Sequence, residues 1–324
     1  MSSNSPLDRT GLLHLAIVVL IGSTLFLAIR VAVSDAGGFA PFSLGATRCA
    51  VAAVLLGLWL AFRRRRAPAN ASRLTLGAAL GVMASGAMLW GGANGLASLA
   101  SRSVGSGTVA LFFATQPMLV ALLDAMLRRR LPRTREMLAI ALGTGAVVVL
   151  TAPGAQAIPA DAGVLASLVA APVLLALSIL TLRKYGGNLS GIQAALLQLG
   201  AGAATLGLMA YATGEQWTPP SALGWSMWTW LTLAGSVIAF PSFAIALQRL
   251  PTSVFMSHAW INPVLATLLG AAVAGEALTL GTGVAAAAVV AGIGLLIKPG
   301  DTGRPKAAAK RAPSRAFDRR AVGR

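Results

Sequence analysis

Residues 252–299 read TSVFMSHAWINPVLATLLGAAVAGEALTLGTGVAAAAVVAGIGLLIKP, two apolar runs separated by the pair Gly275 and Glu276. Each run, at about twenty residues, is long enough to cross the hydrocarbon core of a bilayer as a helix. A short turn between two such spans makes a hairpin. The first run nevertheless carries His258, Trp260, Asn262 and Pro263, where an inert anchor needs only Leu, Ile and Ala. Hydrogen-bonding groups at that depth are expected to face protein or water, because hydrocarbon offers them no partner.

The pattern occurs once more upstream. Residues 107–153 read GTVALFFATQPMLVALLDAMLRRRLPRTREMLAIALGTGAVVVLTAP, and at an offset of 146 residues Gln116 and Pro117 fall on Asn262 and Pro263, while Pro153 falls on Pro299. The chain therefore reads as two related halves. They have diverged: Gly145 and Gly292 lie at an offset of 147, and Glu276 falls on Arg130.

Composition sets the class. With 56% hydrophobic and 11% charged residues in 324 and a mean hydropathy of +0.76, the chain has more apolar surface than a soluble core can enclose. An all-α polytopic membrane protein follows. A net charge of +17 would suggest nucleic acid in a soluble protein. Here most of the basic residues sit in short runs between apolar segments or in the tail, as in cytoplasmic loops, so nucleic acid is excluded as a partner. The single cysteine, Cys49, rules out an intrachain disulfide framework and a Cys-based metal site. No G-x-x-x-x-G-K-[ST] stretch is present, which argues against ATP-driven transport by this chain. The two histidines and scattered carboxylates form no catalytic or metal-ligand cluster, so neither an enzyme nor a cofactor is expected.

Eight further apolar segments precede the hairpin, at about 11–32, 42–62, 74–95, 104–126, 136–152, 161–182, 191–212 and 222–246. The first is too long for a signal-peptide core, although Ala32-Val33-Ser34 has a plausible cleavage spacing. Ten spans put both termini on one side. With that side cytoplasmic, the runs Arg63 to Arg66, Arg128 to Arg135, Arg183-Lys184 and Arg249 all lie inside, and Arg102 alone departs from the rule. Five spans per half is an odd number, so the second half enters the membrane inverted, which places a shared site near the midplane. The expected organisation is a short cytoplasmic N-terminus at 1–10, one five-helix repeat at 11–153, a second at 161–299, and a basic disordered cytoplasmic tail at 300–324 with eight basic and two acidic residues.

These residues resemble the drug/metabolite transporter superfamily, and within it the ten-helix EamA-type proteins. The resemblance rests on the small-residue first helix ending near Arg30, the Pro41-Phe42 to Arg48 opening of the second, the segment around Pro117, and Asn262-Pro263 to Gly275-Glu276 followed by a Gly-rich last helix. It covers residues 11–299. It implies an inner-membrane carrier, often an exporter of amino acids, other metabolites or drugs, with a cavity lined chiefly by the first, third, fourth, sixth, eighth and ninth helices. The Gly-Glu pair that usually follows the fourth helix is Arg129-Arg130 here, which leaves Glu276 to represent the family's acidic turn.

Candidate cavity residues are Trp90 and Asn94, Gln116, and His258, Trp260 and Asn262. His258 and Asn262 are four apart and so share a helix face, as do Trp90 and Asn94. The competing account of each is packing: a histidine bonded to a neighbouring carbonyl, or a tryptophan against small residues such as Gly91 and Gly95. Pro117 and Pro263 each release a backbone carbonyl and can bend their helices. Arg30 and Arg48 are expected near the outer surface, snorkelling to the headgroups or gating an anionic group. Trp225, Trp228 and Trp230 read as an interfacial belt. The function expected is secondary, non-ATP transport of a small-molecule substrate, as an exporter working by alternating access. A non-transporting sensor or assembly subunit on the same fold is the alternative. The lipid bilayer is the other partner, and a homodimer is admitted.

Overall fold

The computed structural model describes residues 8–64, 75–151, 161–187, 189–250, 252–255 and 257–296. Its described residues form ten long helical segments, α1 (Arg9–Val33), α2 (Pro41–Arg64), α3 (Leu76–Ala100), α4 (Ser106–Leu127), α5 (Thr134–Thr151), α6 (Ala162–Tyr185), α7 (Gly191–Ala212), α8 (residues 222–249), α9 (His258–Ala274) and α10 (Leu280–Leu296), and one short turn of helix, Thr252–Phe255, between α8 and α9. Seven of them are long and apolar enough to cross a bilayer, and α9 and α10 contain the shorter apolar stretches Ile261–Ala274 and Leu280–Leu295. Arg65, Arg66, the turn at 152–160, the side chain of Trp260 and the basic tail lie outside the described residues.

Local chemistry starts the helices. Asp8 accepts from Thr10 N at the head of α1, Asp161 from Gly163 N at the head of α6, and Ser221 from Gly224 N at the head of α8. Ser190 and Gln193 form a reciprocal capping box on α7. Long apolar side chains such as Leu20, Leu58, Leu80 and Leu208 point outward and stay exposed, the lipid-facing pattern of a bundle whose interior holds the polar groups.

Packing shows the internal repeat directly. Helix α2 lies along α7 and α5 along α10, each beside the helix five positions away in the order. Gly45 meets Leu206 while Gly57 meets Leu196, and Gly281 meets Val149 while Gly292 meets Ala139. Both pairs therefore run antiparallel, which is inversion of one repeat against the other. The first helix of each half is exchanged: α1 packs on α8 and α9, and α6 packs on α3 and α4. Two three-helix bundles result, one of α1, α8 and α9 and one of α3, α4 and α6, braced by the two antiparallel pairs.

Three breaks interrupt the long helices. Helix α4 opens at Thr115, two residues before Pro117, which has no N–H to continue the ladder. Residues Ala87–Asn94 of α3 and Leu231–Ala239 of α8 are π-helical. These two segments stand at matching places in the two halves, and π turns recur at functional sites. In each, a polar side chain turns back to a carbonyl five residues earlier: Asn94 Nδ2 to Leu89 O at 2.9 Å, and Ser236 Oγ to Leu231 O at 3.4 Å.

Candidate functional site

Polar groups gather at three levels along the helix axes. One end carries Arg128 to Arg135, Arg183, Lys184 and Arg249, and is called the basic end; the other carries Asp35, Asp161, Glu215 and Glu276, and is called the acidic end.

At the acidic end, Gly275 takes a left-handed conformation (φ 65°) that ends α9 and turns Glu276 back over it, with Glu276 N–H bonded to Gly270 O at 3.2 Å. The carboxylate then reaches the other bundle. It accepts from Ser106 N at 2.6 Å and Gly107 N at 3.1 Å, capping α4. Arg30 Nε stands 3.3 Å from Glu276 Oε1, and Arg30 Nη1 donates to Val104 O. Helices α4 and α9 approach so closely here that a Cβ on Gly107 would lie 2.9 Å from Thr267 Cα. Beside the clasp is a polar cavity of about 220 Å³, lined by Arg30, Ser103, Thr108, Thr267, Glu276 and Thr282 among others. Glu215 caps α2 in the same manner, accepting from Phe42 N at 2.9 Å and from Ser43 N and Oγ at 2.8 Å each. An N-terminus presents free N–H groups and a partial positive charge, so a carboxylate is its natural partner.

Midway along, Arg48 of α2 is buried, with 5% of its surface exposed. The surface placement expected of this arginine is corrected: its guanidinium runs inward to the second half. Arg48 Nε donates to Ser236 Oγ of α8 at 2.8 Å, and the guanidinium carbon lies 5.0 Å from the centroid of the Trp90 ring. Gly235 makes this approach possible, since a Cβ there would stand 3.0 Å from both Arg48 Nη2 and Leu25 Cδ2. Trp90 meets Phe240 edge to face at 5.4 Å. Among the described residues, Trp90 Nε1 and Thr232 Oγ1 are buried without a hydrogen-bond partner.

At the basic end, Asp8 and Arg249 pair at 3.0 Å, and Gly11 of α1 abuts Leu250. The Asp8 carboxyl is held below its ordinary value of 3.8, chiefly by the Arg249 hydrogen bond and further by Thr10 N–H. A depressed carboxylate stabilises the fold above its unfolded pKa and loses that contribution as pH falls through the folded one. Acid titration of the purified protein below pH 3.8 should therefore show a small loss of stability that Asp8→Asn abolishes. An equal acid response in the variant would leave the pair without a role. Deeper on this side, His14 Nδ1 lies 3.0 Å from Ser242 Oγ.

The residues singled out from sequence do not converge on one cavity. His258 Nδ1 donates to the carbonyl of Phe255 at 2.6 Å, and its ring packs against Phe243 and Phe255. It thereby satisfies a carbonyl left free where the chain breaks ahead of α9. Asn262 faces α1, with Nδ2 2.7 Å from where a Cβ on Gly22 would be, and its Oδ1 is buried without a partner. Gln116 and Pro117 are half-buried at the break in α4, Pro263 is buried within α9, and Asn94 is spent on its own helix. Trp90 is joined to Arg48, and Arg30 to Glu276. Glu215, Thr232 and Ser236 were not singled out. Their signal in sequence is slight: a lone acid in an outer turn, and hydroxyls one helical turn apart inside an apolar run.

Fold and site together define a polytopic membrane protein that keeps charged and hydrogen-bonding groups between two inverted helix bundles. Residues 9–152 match the EamA-like transporter family, so the first half of the chain is similar to that family. It is 28% identical over 269 residues to the uncharacterized inner membrane transporter YedA of Escherichia coli K12, covering 82% of each chain. The proteins of the same name from E. coli O6:H1 and O157:H7 match to the same extent. A crystal structure described only as that of a protein shares the fold with a TM-score of 0.59 at 20% identity, over 88% of this chain and 96% of that one.

Proposed function

We propose that the protein is a secondary carrier that exports a small amphipathic metabolite or drug by alternating access, with both termini in the cytoplasm. The observation that carries this reading is the exchange of first helices between inverted halves, with the resulting bundles joined at the acidic end by Glu276. In such an arrangement the bundles can rock about the braced pairs while a site between them faces one side and then the other. The clasp of Glu276 on the start of α4, with Arg30 bound to Val104 O, is then the external gate, and these contacts to α4 are what an opening motion must break. Placement in the inner membrane, basic end inward, is supported by the basic loops and by the name of the E. coli relatives. The two repeats are taken as 11–153 and 161–299, with cytoplasmic segments at 1–10 and 300–324.

Reconstitution in liposomes tests the reading. A carrier shows saturable flux of a labelled compound and counterflow driven by unlabelled compound inside. Absence of both across a broad metabolite panel would leave a sensor or assembly subunit on this fold. Reporter fusions should place the Arg63 and Arg128 loops on the same, cytoplasmic side, and opposite sides would refute the topology.

A further inference from the structure

We propose that Arg48, Trp90 and Thr232 form a receptor for a carboxylate, so that the substrate class is a small organic monoanion with an apolar body. The proposal rests on the carrier reading and names the chemistry of its cargo. It follows from an inventory of donors and acceptors. A guanidinium offers five N–H groups, and among the described residues the one hydrogen-bond partner of Arg48 is Ser236, at Nε. Among the described residues the ion pairs involve Arg30, Arg128, Arg130 and Arg249, and none reaches Arg48. Trp90, whose ring holds the guanidinium, has its own N–H buried and unpartnered; Thr232, one turn before Ser236 on α8, has a buried and unpartnered hydroxyl. Three residues from three helices thus supply donors and almost no acceptor.

Protein interiors rarely leave such groups unmatched, because a buried charge or donor without a partner forfeits its hydration. A resident carboxylate would remove the mismatch, and the sequence has placed hydroxyls there instead. A carboxylate that arrives and leaves removes it only while bound, which is what a transport site requires. The terminal nitrogens of an arginine match two carboxylate oxygens, and the Trp90 N–H and Thr232 O–H are single donors for the remaining lone pairs. The edge-to-face Trp90 and Phe240 rings supply an apolar wall for the rest of the molecule. Arg30, at the acidic end of α1, is already engaged by Glu276. One unpaired cation matches one negative charge, which favours a carboxylate over a phosphate dianion.

The test reads binding, not flux, so its failure is separable from failure of the carrier reading. Purified full-length protein in phosphatidylcholine nanodiscs is melted with acetate, phenylacetate and indole-3-acetate, each beside its neutral amide. Carboxylates are expected to bind roughly tenfold or more tightly than the amides, the discrimination a charge-assisted pair supplies. Arg48→Gln should abolish the preference and Arg48→Lys should keep part of it. Because Arg48→Gln could fail to fold, Trp90→Phe and Thr232→Val serve as conservative variants, each expected to weaken carboxylate binding severalfold while leaving amide binding unchanged. Ser236→Asp, which gives Arg48 a permanent counter-charge, should raise the melting temperature of the ligand-free protein and abolish the carboxylate response. Equal stabilisation by acid and amide, stabilisation by neither, or an undiminished preference in the Trp90 and Thr232 variants would each overturn the proposal. So would an Arg48-dependent rise produced by phosphatidylserine in the nanodisc but not by the free acids, which would make the carboxylate a lipid's.

Discussion

Glu276→Ala is expected to destabilise the protein by roughly 2 kcal/mol, combining a lost helix cap of about 1 kcal/mol with a partly solvent-screened ion pair of about the same size. The loss falls on three partners at once: Ser106 N, Gly107 N and Arg30. Glu276→Gln should cost about half as much, since an amide keeps one acceptor oxygen but no charge. The change should also be visible as access. Thr108 is buried beside the clasp and lines the polar cavity, and the chain's own cysteine, Cys49, is buried. A Thr108→Cys protein should therefore label slowly with a membrane-impermeant maleimide added from outside. The same protein carrying Glu276→Gln or Arg30→Gln should label severalfold faster and lose counterflow. Unchanged labelling in both would show that the charges do not hold the external gate.

Gly86→Leu should prevent accumulation of folded protein. A Cβ at Gly86 would run into the Cα and carbonyl of Gln198, and backbone cannot turn aside as a side chain can. The same crossing of α3 and α7 carries a buried polar chain: Gln198 Nε2 donates to Ser85 Oγ at 2.8 Å, and Ser85 Oγ donates to Ser178 O of α6 at 3.0 Å. Forcing the helices apart breaks packing and this network together, a combination that costs on the order of 3 kcal/mol or more. Gly200→Ala, two residues along α7 from Gln198 and with open space around it, is the control. It should be neutral or slightly stabilising, because alanine is the better helix former. Similar yields of the Gly86 and Gly200 variants after detergent extraction would contradict the close approach.

Sequence and structure agree where the signal is local. The run at 191–212 needed only its length and apolar composition, and the structure returns Gly191–Ala212. The proline at 117 announced a weak point in α4, which falls at Thr115. Agreement ends where a residue's meaning depends on a distant partner. Glu276 stood out as an acidic turn with no repeat mate, yet its partners are 169 and 170 residues away on α4 and farther still on α1. Arg48 looked superficial because it lies about two turns into its helix. What draws it inward is the small Gly235 and the hydroxyl of Ser236, 188 residues on. The expectation that Trp90 and Asn94 share a face assumed a 100° step. They lie in a π-helical turn, where the repeat is wider and Asn94 answers a carbonyl five residues back. No periodicity in the sequence announces such a turn.

The swapped position of α1 bears on how the chain is made. This helix enters the membrane first, but α8, against which it packs, begins only at Ala222, and the carboxylate that Arg30 awaits is Glu276. For most of translation the ribosome's earliest product must wait in lipid with a guanidinium and the bare start of α4 unclaimed. A chain released prematurely before Glu276 would contain the first nine helices and still lack its last fastener.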